Sequence, residues 1–91
     1  MKSFYTRSQT SRIGAYICHL LEVHNLPQYK FAESINVSDN VLRRCIRVSG
    51  KYPSLLTAIK ICKGLEKLTG ARWDTHALNL IRIVEEETNV K

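Results

Sequence analysis

The segment 26–47 leaves room for only two short helices joined by a tight turn. Pro27 suits the first turn of a helix, because an N–H group there would have no partner in any case. Asn36 tolerates the left-handed conformation that a tight turn needs, and Ser38 is a good cap for the helix that follows. The segment therefore predicts a helix-turn-helix over about residues 27–47.

The second helix of this motif has an inner and an outer face. Apolar residues with helical spacing form the inner face, namely Val41, Leu42, Cys45 and Ile46. Polar and basic residues form the outer face, namely Asn40, Arg43, Arg44 and Arg47. The major groove of DNA is about 12 Å wide and admits one α-helix, and there arginine forks onto guanine and asparagine onto adenine. The outer face thus favours contact with DNA, and a solvated basic face is the alternative.

Local signals also place a helix on each side of this motif. Ser11 caps a first helix that Asn25 ends, and Pro53 with Ser54 opens a fourth helix that ends by Gly70. The expected apolar face of the fourth helix consists of Leu55, Leu56, Ile59, Cys62 and Leu65.

A fifth helix is expected over about residues 74–87. Its apolar arc, which includes Leu78, Ile81 and Val84, is wider than one core needs, so it is either buried in the monomer or part of a dimer interface. The chain has only two prolines and four glycines, which disfavours sandwiches and barrels. We therefore expect an all-α, compact five-helix domain over residues 12–88, preceded by an arm over residues 1–11.

The chain is basic, with 14 Lys and Arg against 8 Asp and Glu and a formal net charge of +6. A basic domain attracts polyanions because neutralising phosphates releases condensed counterions. The N-terminal stretch carries Lys2 and Arg7 without an acid, whereas residues 85–87 are all glutamate. Lys2 and Arg7 are candidates for an arm that reaches the minor groove or the DNA backbone, and a disordered leader is the alternative.

Cysteine spacing and hydropathy narrow the class of protein further. Cys18, Cys45 and Cys62 form no CxxC pair and stand among apolar residues, which predicts buried, reduced thiols. The N-terminus lacks the apolar core of a signal peptide, and no apolar run is long enough to cross a membrane, so we expect a cytoplasmic protein. The histidines and cysteines do not have zinc-site spacing, and we expect no metal, no cofactor and no enzymatic activity.

Residues 26–38 read LPQYKFAESINVS, residues 50–56 read GKYPSLL, and residues 59–62 read IKIC. This order and spacing resembles the lambda-repressor-like, or XRE-type, helix-turn-helix family. That family has a leucine, a glutamine two residues later, then leucine-alanine and a glycine-valine-serine turn. The resemblance covers about residues 13–65 and implies a five-helix, DNA-binding repressor that often acts as a dimer.

The resemblance also implies roles for individual residues. Gln28 matches the position that binds the DNA backbone and braces the recognition helix. The positions from which the recognition helix contacts DNA correspond to Ser38, Asp39, Asn40, Arg43 and Arg44, with Ser38 beside the backbone and the other four reading bases. Lys51 is near a backbone-contacting site. Arg47, which belongs to the outer face, is also a candidate for contact with the backbone. Two features depart from the family pattern: Asn36 replaces the usual glycine, and residues 46–50 contain one or two more residues than the usual Glu-x-Gly.

Together these features predict a sequence-specific regulator of transcription that binds double-stranded DNA. We expect a homodimeric repressor, of prokaryotic, phage or mobile-element origin, that binds an inverted repeat through the major groove. Two alternatives stay open at this point. The first alternative is an antitoxin-type protein-interaction module with a protein partner and secondary DNA binding. The second is a non-specific nucleic-acid binder.

Overall fold

Serine side chains fix where three of the helices begin. Ser11, Ser38 and Ser54 each have an extended backbone. Each hydroxyl group accepts a hydrogen bond from the N–H group three residues later, at 2.9, 3.2 and 3.2 Å respectively. These bonds satisfy donors that the first turn of a helix leaves free. The predictions that Ser11 and Ser38 act as caps are confirmed.

The computed structural model describes residues 11–47 and 52–88, which form five α-helices and no strand. The helices are α1 (Arg12–Val23), α2 (Gln28–Ser34), α3 (Asp39–Ile46), α4 (Leu55–Thr69) and α5 (Trp73–Thr88). The prediction of an all-α, five-helix fold is confirmed. Within the described ranges, no helix combines the length and the apolar character that a bilayer crossing requires.

Three of the connections between helices, α1–α2, α2–α3 and α4–α5, depend on residues that accept a positive φ. Asn25 has a φ of 55° and Asn36 a φ of 60°, and Gly70 follows α4 with a φ of 83°. Asparagine and glycine adopt this region at little cost, which is why helices end beside them. Pro27 lies immediately before α2, as its N-terminal cap, and not inside the first turn as the sequence had suggested.

One apolar core receives side chains from all five helices. α5 packs against α4 and α1, while α1 also contacts α2 and α3. The side chains that are buried most completely are Ile17, Phe31, Leu42, Ile46, Ile61 and Leu65. Leu80 brings α5 into the same cluster. The core therefore positions α2 and α3 against the rest of the domain.

Three apolar residues that were expected inside lie on the surface. Val41 is 38 % exposed, because the buried face of α3 consists only of residues 42, 45 and 46 and Val41 falls at its edge. Leu55 is 79 % exposed and Leu56 is 64 % exposed. Both belong to the first turn of α4, whereas the buried part of that helix starts at Ile61. Helical spacing identifies the apolar face of a helix, but it does not show how much of that face a neighbouring helix covers.

A mainly apolar groove of about 740 Å³ lies between α4 and α5. Leu55 lines it from α4, and Leu78 and Ile81 line it from α5. Leu78 is 49 % exposed and Ile81 is 54 % exposed, whereas Val84 is half-buried against the core. The wide apolar arc of α5 is therefore divided between the core and the surface.

A buried polar network links α1, α4 and α5. His76 is only 4 % exposed, and both of its ring nitrogens have partners. Nδ1 lies 2.8 Å from the hydroxyl oxygen of Tyr16, and Nε2 lies 3.0 Å from the hydroxyl oxygen of Thr69. The Asn79 side-chain amide donates to the Tyr16 hydroxyl oxygen at 3.0 Å. Since each helix supplies at least one member, the network fixes how α5 sits on α1 and α4.

Candidate nucleic-acid interface

The connection between α2 and α3 is short and closed by backbone hydrogen bonds. The Asn36 N–H donates to the Glu33 carbonyl oxygen at 3.2 Å, and the Val37 N–H donates to the Ala32 carbonyl oxygen at 3.0 Å. Ser38 then caps α3, so the new helix begins at Asp39. The positive φ of Asn36 makes this tight reversal possible without glycine. α2 and α3 therefore form a helix-turn-helix with a fixed turn.

α3 is held from its buried side and at its C-terminus. Leu42 and Ile46 are fully buried, and Cys45 is 6 % exposed. The Ser11 N–H donates to the Ile46 carbonyl oxygen at 2.8 Å, and Ser11 Oγ lies 3.2 Å from the carbonyl oxygens of both Cys45 and Ile46. The start of α1 thereby satisfies carbonyl groups that the end of a helix leaves free. The orientation of α3 is set by contacts with α1.

The opposite face of α3 is polar and exposed. Asn40, Arg43 and Arg44 all lie on the surface of this helix. Arg47 is also exposed and follows the last residue of α3 with an extended backbone. The structure thus brings the predicted base-reading side chains onto one helical face, and it places Arg47 at the start of the next connection.

Asp39 joins α2 to α3 through its two carboxylate oxygens. The side-chain amide of Gln28 donates to Oδ1 at 3.4 Å, and the guanidinium group of Arg43 contacts Oδ2 at 2.5 Å. Gln28 is only 8 % exposed, so its side chain is held between the two helices. The contact between Gln28 and Asp39 joins α2 to α3, as a residue that braces the recognition helix would. The contact of Gln28 with the DNA backbone stays a prediction.

Arg43 remains available to bind another anion, although it forms an ion pair with Asp39. The Arg43 side chain is 50 % exposed and the Asp39 side chain 35 %. Exposed pairs of this kind contribute only about 0–1 kcal/mol, so a better anion can displace Asp39 at small cost. Arg44 and Arg47 form no ion pair with a described residue. The face therefore has an excess of positive charge.

Lys60 is a contributor to this region that the sequence did not reveal. Its ammonium group donates to the Asn36 carbonyl oxygen at 3.3 Å, from α4 to the turn of the motif. The two residues are 24 positions apart, and no local spacing links them. Lys2, Arg7 and Lys51, which were also assigned to DNA contacts, lie outside the described residues.

The cysteine side chains are poor nucleophiles. Burial, and to a smaller extent the nearby Glu22 carboxylate, raises the pKa of the Cys18 thiol to about 11. Burial also raises the pKa values of Cys45 and Cys62. Because the thiolate is the reactive form, these thiols are suited to packing. Among residues 11–47 and 52–88, no three histidine, cysteine or acidic side chains come together in a way that could hold a metal ion.

The outer face of α3 combines exposed cationic side chains with a short turn that is closed by backbone hydrogen bonds. Its functional interpretation depends on its geometry and charge. No known family model matches the chain, and neither characterised proteins nor solved structures show significant similarity to it.

Proposed function

We propose that this protein is a sequence-specific regulator of transcription that inserts α3 into the major groove of double-stranded DNA. The observation that carries the proposal is the combination of a fixed α2–turn–α3 unit with an exposed face of Asn40, Arg43 and Arg44. A helix that reads base edges must present such side chains from a rigid position. α3 has that rigidity because its other face is buried and its end is bonded to Ser11.

The side chains divide by reach and chemistry. Arg44 has a guanidinium group that is free of described partners and suits the O6 and N7 atoms of guanine, while Asn40 suits adenine. Arg43 can also bind guanine once its ion pair with Asp39 is broken. The Asp39 carboxylate can accept a hydrogen bond from the amino group of cytosine. Ser38 and Arg47 cap the two ends of α3, and Gln28 at the start of α2 contacts Asp39. We assign these three residues to the phosphates that border the groove. We propose on this basis that the protein is a repressor of the lambda-repressor-like class and acts in the cytoplasm.

The test begins with selection of bound duplexes from a random pool. Titration of the selected duplex and of random duplexes then follows, for the wild type, Asn40→Ala and Arg44→Ala. We expect each variant to lose about 1–3 kcal/mol of discrimination at one base pair, because each removes one base contact. The matched control is Arg72→Ala, which removes the same charge outside the α2–α3 unit. This control should weaken binding to all duplexes slightly and by the same factor.

Two results would contradict the proposal. One is a selection that enriches no sequence, together with equal affinity for every duplex. The other is base preference that is unchanged in Asn40→Ala and Arg44→Ala. Either result would leave a basic domain that binds nucleic acid only through charge.

We further propose that the protein acts as a homodimer whose copies meet through the exposed apolar edge of α4 and α5. Leu55, Leu78 and Ile81 expose between about half and four-fifths of their surface on this edge. Monomeric proteins rarely leave a contiguous apolar patch of this kind uncovered. A two-fold dimer would present two copies of α3 about 34 Å apart, which matches successive major grooves on one side of the duplex.

Ile81→Glu is expected to convert the dimer to a monomer of 10.5 kDa. A carboxylate at this position would be buried without a partner in the interface, whereas in the monomer it lies in solvent. Size-exclusion chromatography with light scattering at micromolar concentration measures the change. Thr75→Glu adds the same charge to an exposed position of α5 outside the groove and should leave the dimer intact. A wild-type protein that is monomeric with and without DNA would contradict the proposal.

A further inference from the structure

A second groove, of about 450 Å³, lies between α2 and α4. Its floor is apolar and is formed by Leu26, Phe31, Ile35, Gly64 and Leu68. None of the proposed DNA-contacting residues of α3 lines it. The groove is therefore separate both from the face that we assign to DNA and from the α4–α5 edge.

Gly64 determines how closely the two helices approach. A Cβ atom at this position would overlap a methyl group of Ile35 and would lie 2.9 Å from the ring of Phe31. The missing side chain lets α4 pack directly on Phe31 and Ile35, which are buried, and the half-buried Leu26 and Leu68 supply the accessible apolar surface of the groove. Half-buried leucines bordered by lysines suit the apolar face of a docked helix better than a small polar ligand.

The α4 side of the groove carries three lysines at the spacing of one helical face, namely Lys60, Lys63 and Lys67. They cover about 10 Å along the helix axis, since each residue rises 1.5 Å. No acidic side chain is among the described residues that line the groove. Lys60 contacts a backbone carbonyl and Lys63 lies 6.0 Å from the ring centroid of Trp73, and neither interaction neutralises the charge.

We propose that this groove binds an acidic amphipathic helix of a protein partner. Carboxylates spaced three and four residues apart on such a helix recur over about the same 10 Å as the lysines, so each can face an ammonium group. Its apolar side chains contact the half-buried Leu26 and Leu68. A nucleic-acid backbone would satisfy the lysines but would leave these two leucines uncovered, which is why the geometry favours a protein.

The position of the groove determines whether the partner and DNA can be bound at the same time. Lys60 contacts the turn between α2 and α3 through Asn36, so a bound helix would lie beside the motif without covering its outer face. DNA and the partner can therefore be bound at the same time. The inference does not depend on the DNA proposal, because the groove and its lysines are present whether or not α3 reads bases.

The test uses a labelled synthetic helical peptide of glutamate, leucine and phenylalanine, with the glutamates spaced three and four residues apart. A scrambled peptide of the same composition serves as the control ligand. The protein variant is Lys60→Gln/Lys63→Gln/Lys67→Gln. Its control is Lys30→Gln/Arg72→Gln/Arg82→Gln, which removes the same charge from exposed positions outside the groove.

We expect the patterned peptide to bind about tenfold more weakly to the groove variant than to the wild type, since three modest ion pairs are lost. The control variant should change its affinity by less than about threefold. Backbone amide shifts on titration of the wild type should concentrate at Leu26, Ile35, Gly64 and Leu68. The base preference of the wild type is measured with the selected duplex in the absence of peptide, so failure of the DNA proposal would be seen separately.

Three outcomes would overturn the inference. The first is equal binding of the patterned and scrambled peptides, which would indicate charge attraction without docking. The second is a set of amide shifts outside the α2–α4 groove. The third is a groove variant that loses affinity for DNA and not for the peptide, which would assign the lysines to a nucleic-acid contact.

Discussion

Gly14→Ala is expected to lower the free energy of unfolding by about 3 kcal/mol. A Cβ atom on Gly14 would overlap the carbonyl oxygen of Ile46 and would lie 2.8 Å from its carbonyl carbon and Cα. These are backbone atoms, which cannot turn aside as a flexible side chain can. Alanine gains about 1 kcal/mol over glycine in helix propensity, and the overlap outweighs that gain.

The same change is expected to disturb the proposed DNA-binding face. Relief of the overlap requires α1 and α3 to separate, which breaks the hydrogen bonds between Ser11 and Ile46. Urea unfolding followed by circular dichroism measures the loss of stability. Titration with the selected duplex measures the displacement of α3, and we expect both to change together.

Two variants separate this effect from a general cost of substitution. Ala15→Gly alters the next, exposed residue and should cost only about 1 kcal/mol, the ordinary penalty of glycine in a helix. Gly64→Ala should have an effect between the two, because the nearest atoms belong to the side chains of Ile35 and Phe31. A Gly14→Ala protein as stable as the wild type would contradict the close packing of α1 on α3.

These glycines illustrate what the sequence could not predict. A glycine inside a helical pattern indicates only a local weakening of the helix, because its effect on propensity is local. Its packing partner is not local: Ile46 is 32 residues from Gly14. The caps at Ser11 and Ser38 and the positive φ of Asn36 were predictable, since each depends on atoms within about three residues.

The candidate site was predictable only where its features depend on local helical spacing. The outward position of Asn40, Arg43 and Arg44 follows from helical spacing, and the structure places all three on the surface. Val41 was placed incorrectly because the width of a buried face depends on the neighbouring helices. The contact of Lys60 with the motif was missed for a related reason, since it comes from another helix.

The buried network around His76 predicts a second effect on the whole fold, a loss of stability in mild acid. The hydroxyl group of Thr69 donates its only proton to the Leu65 carbonyl oxygen at 2.9 Å. It must therefore accept from the Nε2–H of His76, which leaves Nδ1 as the acceptor for the Tyr16 hydroxyl group. The network is complete only with a neutral histidine in this tautomer.

Protonation of His76 would oppose both burial and this arrangement. A proton on Nδ1 would face the hydroxyl group of Tyr16, which already accepts from Asn79. Glu66 on α4 favours the charged form, but burial has the larger effect, and the pKa of His76 is lowered from its ordinary value. Other described groups of the network, from α1, α4 and α5, are uncharged.

The direction of the pH effect follows from the lowered pKa. Above about pH 6.5 the histidine is neutral in both the folded and the unfolded chain, and its contribution to stability is complete. As the pH falls below that value, the unfolded chain binds a proton that the folded chain does not. The free energy of unfolding then declines by up to about 1.4 kcal/mol per pH unit, until the pH reaches the folded-state pKa.

Urea unfolding of the wild type and His76→Gln between about pH 7 and pH 5 measures this contribution. We expect His76→Gln to be less stable at neutral pH and to lack the part of the acid slope that the histidine supplies. His19→Gln, at an exposed position of α1, is the control for loss of a histidine outside the network. Ring nitrogen resonances of the wild type provide a second readout, with Nε2 protonated and Nδ1 bare at neutral pH. Parallel stability curves for the wild type and His76→Gln, or a protonated Nδ1, would contradict the network as the source of acid sensitivity.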